Sequence, residues 1–209
     1  MAEGHGRTLW ALVVGIDSYP APVRPLHGCV TDAARIAELL RRRAEAAGNR
    51  AEVLLLTDAA VTREAVLAGF REHLAGAGPR DAAVFFYAGH GSQERAWLPA
   101  HRAVEPDGLN ETLVLADSRV PGGHDLADKE LAVLVGEVAA RAGHVLVVLD
   151  CCHSGSGVRA PAGGAIRHAP ADDRPRGAGD YLAGAAGDTA AGDTAAGGMA
   201  AGAEAAGNL

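Results

Sequence analysis

The sequence predicts an α/β fold: a three-layer sandwich in which a mostly parallel central sheet is flanked by helices. Three observations predict it. Apolar runs of strand length recur along residues 8–152, helical patterns separate them, and the polar residues suited to chemistry fall just past the ends of the runs. Strands apolar along their whole length are buried on both faces, as in a parallel sheet covered by helices. In such a sheet the strand carboxyl ends emerge along one edge, where ligands bind.

The run TLWALVVGID (8–17) is the first strand. TDAARIAELLRRRAEAAG (31–48) follows as a helix that opens on Thr31 or Asp32 as cap, with Ile36, Leu39 and Leu40 at helical spacing. AEVLLLTD (51–58) is a second strand, and TREAVLAGFREHLAGAG (62–78) a second helix capped by Thr62, with Val66, Leu67, Phe70 and Leu74 on one face. DAAVFFYAGHG (81–91) is a third strand ending in glycines; ETLVLADSR (111–119) reads as a short strand or hairpin arm. DKELAVLVGEVAARAG (128–143) is a helix and HVLVVLDCC (144–152) the fourth main strand. The chain thus divides into a domain over 8–157 and a Gly/Ala/Pro-rich stretch over 158–209. That stretch carries the repeat AAGDTAAGDT (185–194) and too few bulky apolar groups to offset its ordering entropy, so it is expected to be a disordered linker or tail.

Composition narrows the function. Acidic residues outnumber basic ones 26 to 19, a formal net charge of −7, which argues against nucleic acid or an anionic membrane as partner and favours peptides or small molecules. No window reaches the roughly 20 apolar residues of a membrane span, and the N-terminus lacks a signal-peptide layout. The expected location is the cytoplasm. Three cysteines, two of them adjacent, make neither a disulfide framework nor a structural zinc site, so a reactive thiol becomes the question.

His90 in FFYAGHGSQ and Cys152 in VVLDCCHSG both lie just past strand ends. If those strands are neighbours, the imidazole can hold the thiol as a nucleophilic thiolate and later protonate a leaving group. The backbone N–H groups of Gly91 and Cys152 are open to a developing oxyanion. Taken singly, a histidine after a strand is more often a surface or hydrogen-bonded residue, and a buried cysteine a small hydrophobe. Because successive side chains of an extended segment face opposite ways, Cys151 and Cys152 cannot both meet His90.

The motifs YAGHG (87–91) and DCCHSGSG (150–157) resemble the His and Cys motifs of caspase-like cysteine peptidases of the metacaspase and orthocaspase branch. ALVVGIDSY (11–19), LHGCVTDA (26–33) and DGLNETLVLADS (107–118) leading to LADKEL (126–131) add to the resemblance in family order. It implies His90 as general base, Cys152 as nucleophile, Cys151 as packing and His153 as a residue that positions the turn. It also implies an S1 pocket at Cys29, Asp32 and Asp150 that selects Arg or Lys at P1. Two carboxylates converging on a pocket suit a guanidinium, which one of them can bind bidentately. Local sequence equally allows Asp32 as a helix cap and Asp150 as a structural residue.

The sequence departs from the family pattern at several points. Ala88 replaces a serine, Lys129 interrupts the paired aspartates of calcium-activated members, and Arg159 stands where another acid is expected. No cofactor is expected and calcium activation is doubtful; Asp107, Glu111 and Asp117 would at most bind the ion weakly. The small-subunit strands that normally follow the catalytic cysteine have no counterpart in 158–209. The expected function is a cysteine endopeptidase that cuts after Arg or Lys and cuts itself at Arg159, Arg167, Arg174 or Arg176. The alternative is a weak or inactive caspase-like interaction module whose sheet is completed by a partner.

Overall fold

The computed structural model describes residues 6–152 and 167–187. Its centre is a four-stranded parallel sheet in the order β2-β1-β3-β7, built from β1 (Thr8–Gly15), β2 (Arg50–Thr57), β3 (Ala82–Ala88) and β7 (His144–Asp150). Helix α1 (Cys29–Ala46) covers one face, where Cys29, Ala33 and Ala37 pack on Ala11, Val13, Val84 and Phe86. On the other face lie α2 (Arg63–Ala68), which continues through a π turn (Gly69–His73) and a 3-10 turn (Leu74–Gly76), and α4 (Asp128–Ala139). Phe70, Leu74, Leu134 and Val138 there meet Leu12, Val14, Phe85 and Tyr87. This is the predicted three-layer sandwich.

Details differ where local chemistry outweighs periodicity. Helix α1 begins at Cys29, so neither Thr31 nor Asp32 caps it. The chain enters through Gly28 at φ 104°, a left-handed conformation that favours glycine, and the Asp17 carboxylate accepts the N–H groups of Gly28, Cys29 and Val30 at 3.2, 2.9 and 3.2 Å. A carboxylate from the end of β1 does the capping, which leaves Asp32 uncommitted to the helix end. Gly15 lets α1 settle against β1: a Cβ there would stand 2.6 Å from both the Ala33 Cβ and the Cys29 carbonyl oxygen.

A second sheet replaces the single arm expected near residue 111. β4 (Gly91–Arg95), β5 (Leu109–Leu113) and β6 (Leu126–Ala127) pair antiparallel, with α3 (Pro99–Val104) between β4 and β5. GSQER in β4 has no apolar alternation to announce it; Ser92 and Glu94 are buried by polar partners instead.

The expectation of a disordered tail from residue 158 does not hold for residues 167–187, which pack onto this second sheet. Asp172 N–H donates to the Gln93 carbonyl at 2.7 Å, and Arg174 reaches the Ser118 and Val120 carbonyls at 2.7 and 3.1 Å. The Arg176 side chain, only 1% exposed, pairs with Glu130 at 2.7 Å and Glu94 at 3.2 Å while lying 3.8 Å over the Tyr181 ring. Charge pairing and backbone hydrogen bonds add to a small apolar contact through Ala169, Tyr181 and Ala185 in ordering the segment, and composition does not reveal pairing. Residues 158–166 and 188–209 of the same stretch lie outside the described residues.

β7 also differs from a strand buried on both sides. Val145 and Val147 pack into the core, but Leu146 and Val148 on the α1 side are 46% and 37% exposed. Helix α1 shields the neighbouring β3 positions Val84 and Phe86 and stops short of β7, the edge of the described sheet. Among the described residues, no helix is long and apolar enough to cross a membrane.

Candidate active site

The carboxyl ends of β3 and β7 build the site. Their register pairs Ala88 with Asp150, so His90 and Cys152 each stand two residues past a matched pair on adjacent strands. His90 is 3% exposed. Its Nε2 lies 2.8 Å from the Arg24 carbonyl oxygen, which can only accept, so Nε2 carries the hydrogen and Nδ1 carries the lone pair. Nδ1 is buried and has no hydrogen-bond partner among the described residues. The lone pair is unspent, but no hydrogen bond joins it to the Cys152 thiol: the strand ends bring His90 and Cys152 to one edge of the sheet without linking their side chains. Burial also pushes the imidazole below its ordinary value, against the pull of the Arg24 carbonyl, with His168 and Arg119 adding to the fall.

Two tyrosines hold the turn. The His90 N–H donates to the Tyr19 hydroxyl at 2.9 Å and the two rings sit 5.0 Å apart, while the Tyr87 hydroxyl lies 2.9 Å from the His90 carbonyl. Gly89 makes room for both phenols, since a Cβ there would meet each oxygen at 2.6 Å. Tyr19 comes from the far end of β1, beyond the motif that contains the histidine, and nothing local in the sequence links the two.

The three cysteines occupy different environments. Cys29 is fully buried at the start of α1, and burial pushes its thiol up to about 12. Cys151 is half-buried, packed against the core, and is likewise pushed up to about 12 by burial and by neighbouring Cys152 and Asp150. Cys152 is exposed. Of the adjacent pair, Cys152 is thus the one open to solvent, in line with the alternation expected of an extended segment.

The site contains a ligand supplied by the chain itself. The Arg167 carbonyl oxygen accepts from the Gly91 N–H and from the Cys152 N–H, each at 3.0 Å. The guanidinium of the same residue donates to Asp32 at 2.9 Å and pairs with Asp150. It also lies close enough to Cys29 to oppose that thiol's upward shift. All the residues proposed from sequence for the oxyanion and for S1 therefore converge on one arginine. Arg167 was legible only as a cleavage site, not as an occupant of the pocket. Downstream, the His168 Nδ1 lies 3.3 Å from the Cys152 carbonyl oxygen and the Ala169 N–H donates to the Gly91 carbonyl at 2.9 Å.

A profile of the metacaspase peptidase C14 domain matches residues 10–161, well over half of the chain. The chain belongs to the metacaspase peptidase family. It is 30% identical to metacaspase-1 of Mycosarcoma maydis over 72% of this chain and 37% of that protein, and 30% identical to metacaspase-1A of Neurospora crassa over 70% and 32%. The chain thus spans about a third of the length of these relatives. A crystal structure of a protein from Geobacter sulfurreducens matches with a TM-score of 0.54 and 30% identity, over 71% of this chain and 52% of that one.

Two of the three acids of this metacaspase domain considered for calcium, Asp117 and Asp107, accept backbone N–H groups. Asp117 caps α2 through the Arg63 N–H at 2.9 Å, Asp107 accepts the Leu109 N–H at 3.0 Å, and Lys129 bonds Asp128 at 2.7 Å and pairs with Glu105. A lysine amid the oxygens opposes a hard cation. Among the described residues, no group of three or more His, Cys, Asp or Glu side chains is arranged to hold a metal ion.

Proposed function

We propose that this chain is a cysteine endopeptidase that hydrolyses peptide bonds after arginine or lysine. In this reading His90 Nδ1 takes the Cys152 thiol proton, and the sulfur attacks the scissile carbonyl carbon. The oxyanion that forms accepts the Gly91 and Cys152 N–H groups. Collapse breaks the C–N bond as the His90 imidazolium protonates the departing amine, leaving a thioester on Cys152. His90 then deprotonates a water, whose attack releases the carboxylate product and the thiol. Asp32 and Asp150 select the basic side chain, with Cys29 lining the pocket beside them.

The observation that carries the reading is the seating of Arg167: guanidinium between Asp32 and Asp150, carbonyl oxygen on the Gly91 and Cys152 N–H groups. A peptide carbonyl and a P1 arginine would need those two places at once. Self-cleavage follows from the same contact, at the Arg167–His168 bond. Of the other arginines considered for it, Arg174 and Arg176 are engaged with Asp172 and with Glu94 and Glu130, and Arg159 lies outside the described residues. The deciding assay is cleavage of fluorogenic peptides with Arg, Lys or Asp at P1, with and without calcium, by the parent chain and Cys152→Ala. Turnover confined to Arg and Lys and abolished by Cys152→Ala is expected; equal turnover by the variant overturns the reading.

A second reading, a non-catalytic module whose sheet is completed by a partner, draws on the exposed Leu146 and Val148 at the β7 edge. It predicts no turnover in the same assay together with concentration-dependent association.

A further inference from the structure

We infer that the edge of β4 opposite β5 is a primed-side substrate groove, selecting a small residue two positions past the cut bond and an acidic residue five positions past it. The inference deepens the proposed function and rests on the reading of Arg167 as a P1 residue. With Arg167 at P1, the segment His168 to Asp172 fills the places of the five residues after the bond. It runs parallel to β4, with bridges from Gly91 to His168 and from Glu94 to Asp172. Backbone bonds carry it: Ala169 N–H to Gly91 O at 2.9 Å and Asp172 N–H to Gln93 O at 2.7 Å, with the Ser92 hydroxyl donating to the Pro170 carbonyl at 2.9 Å. Main-chain pairing at a strand edge supplies affinity without side-chain choice, and pockets under alternate residues supply the choice.

Two pockets are present, under Ala169 and Asp172, three positions apart because the segment spans four residues against three of β4 between the two bridges. Ala169 is 2% exposed in a small apolar cluster with Val23 and Val114, against which Tyr19 packs. A methyl group fills the space, and a larger side chain would press on Tyr19, which also holds His90. Asp172 is 4% exposed; Arg174 of the same segment bonds its carboxylate at 2.7 Å, and on the side of the second sheet that carboxylate faces Arg119, whose Nε is 4.0 Å away. Arg119 is held in place by the Asp125 carboxylate at 2.6 Å and by Ser92 Oγ at 2.9 Å. A fixed, nearly buried guanidinium at that depth accepts a carboxylate and rejects a cation. Pro170 and Ala171, between the two pockets, are exposed and place no demand on sequence.

The test uses the full chain as its own substrate, with cleavage after Arg167 followed by intact mass, and an Arg-coumarin amide, which has no primed residues, as the parallel readout. Ala169→Leu and Asp172→Lys are each expected to slow self-cleavage at least tenfold, and the isosteric Asp172→Asn severalfold, while Ala169→Gly retains the parental rate. Asp172→Lys and Asp172→Asn are expected to hydrolyse the coumarin amide at least as fast as the parent, which separates a lost pocket from a lost fold. Self-cleavage by Ala169→Leu is read relative to its own coumarin rate, because the larger side chain also presses on Tyr19. Coumarin hydrolysis through Cys152 together with equal self-cleavage in every variant overturns the groove and leaves the proposed function standing. A chain inert toward both substrates overturns the two together.

Discussion

The carbonyl oxygen of Arg167 lies 3.0 Å from the backbone nitrogen of Cys152, although 15 positions separate the residues in the chain. Because the Gly91 N–H reaches the same oxygen, the contact reproduces what a scissile carbonyl needs, while the side chain meets Asp32 and Asp150. A single residue thereby ties the nucleophile's backbone, the turn after His90 and both acids into one unit. Under the proposed function, it also fills the pocket that a substrate would enter.

Arg167→Ala is therefore expected to raise hydrolysis of an Arg-coumarin amide in trans. A group tethered beside its pocket competes at an effective concentration of about millimolar, so small substrates used below that level should gain severalfold or more. The same substitution should abolish cleavage at position 167. Unchanged KM and kcat in the variant would show that Arg167 does not compete with substrate.

The two acids should be separable. Asp32→Asn and Asp150→Asn each remove one charged partner from the guanidinium; a charge-assisted hydrogen bond contributes about 1.5–3 kcal/mol when well shielded. Both carboxylates are more than a third exposed, at 38% and 49%, so solvent screening reduces the effect to roughly tenfold in kcat/KM for Arg substrates. The loss should be smaller for Lys, which cannot bridge both acids with a planar fork. Steady-state kinetics on paired Arg and Lys peptides measures it.

Much of this site was legible because strands and motifs are local. The apolar runs gave β1, β2, β3 and β7, and the glycine-flanked His90 and Cys152 marked where β3 and β7 end. What escaped was long-range polar chemistry. Asp17 capping α1, Tyr19 gripping His90, and Arg176 binding Glu94 and Glu130 all join residues 11 to 82 positions apart through hydrogen bonds that leave no periodic trace. Because Asp17 satisfies the helix end, Asp32 is free of the capping role and bonds the Arg167 guanidinium instead. The partly exposed β7 likewise reads as a buried strand, since an apolar run records what a surface can bury and not whether anything covers it.

The acid limb of the pH–rate profile should sit low. In the proposed function His90 must be neutral to accept the thiol proton, and burial holds its imidazole below the ordinary value of about 6.5. Lowering the value extends the basic form to more acidic pH, so kcat/KM is expected to hold its plateau below pH 6.5 before falling. Tyr19→Phe, which removes the hydroxyl accepting the His90 N–H, should lower kcat more than it shifts that limb. A limb at or above 6.5 in the parent chain would contradict the buried setting of the base.

Arg176 should be the residue on which the packed 167–187 segment depends most for stability. Its guanidinium is shared between Glu94 and Glu130, whose side chains are 3% and 0% exposed, and Glu130 takes its second cation from Arg63. Burial alone would raise the Glu130 carboxyl, but Arg63 and Arg176 together hold it below its ordinary value. The charged form thus stabilises the fold above about pH 4.3, the ordinary value, and that contribution is lost as pH falls through the lower folded value. Arg176→Ala leaves two buried carboxylates short of a partner and is expected to cost about 3–5 kcal/mol, a large share of a domain's ~5–15 kcal/mol. Arg176→Met, which keeps the volume, should cost a similar amount because the carboxylates stay uncompensated, whereas the triple change with Glu94→Gln and Glu130→Gln should recover part of it. Urea unfolding of the four chains reads these differences directly, and an Arg176→Ala chain as stable as the parent would mean that the segment is held by its backbone pairing with β4 instead.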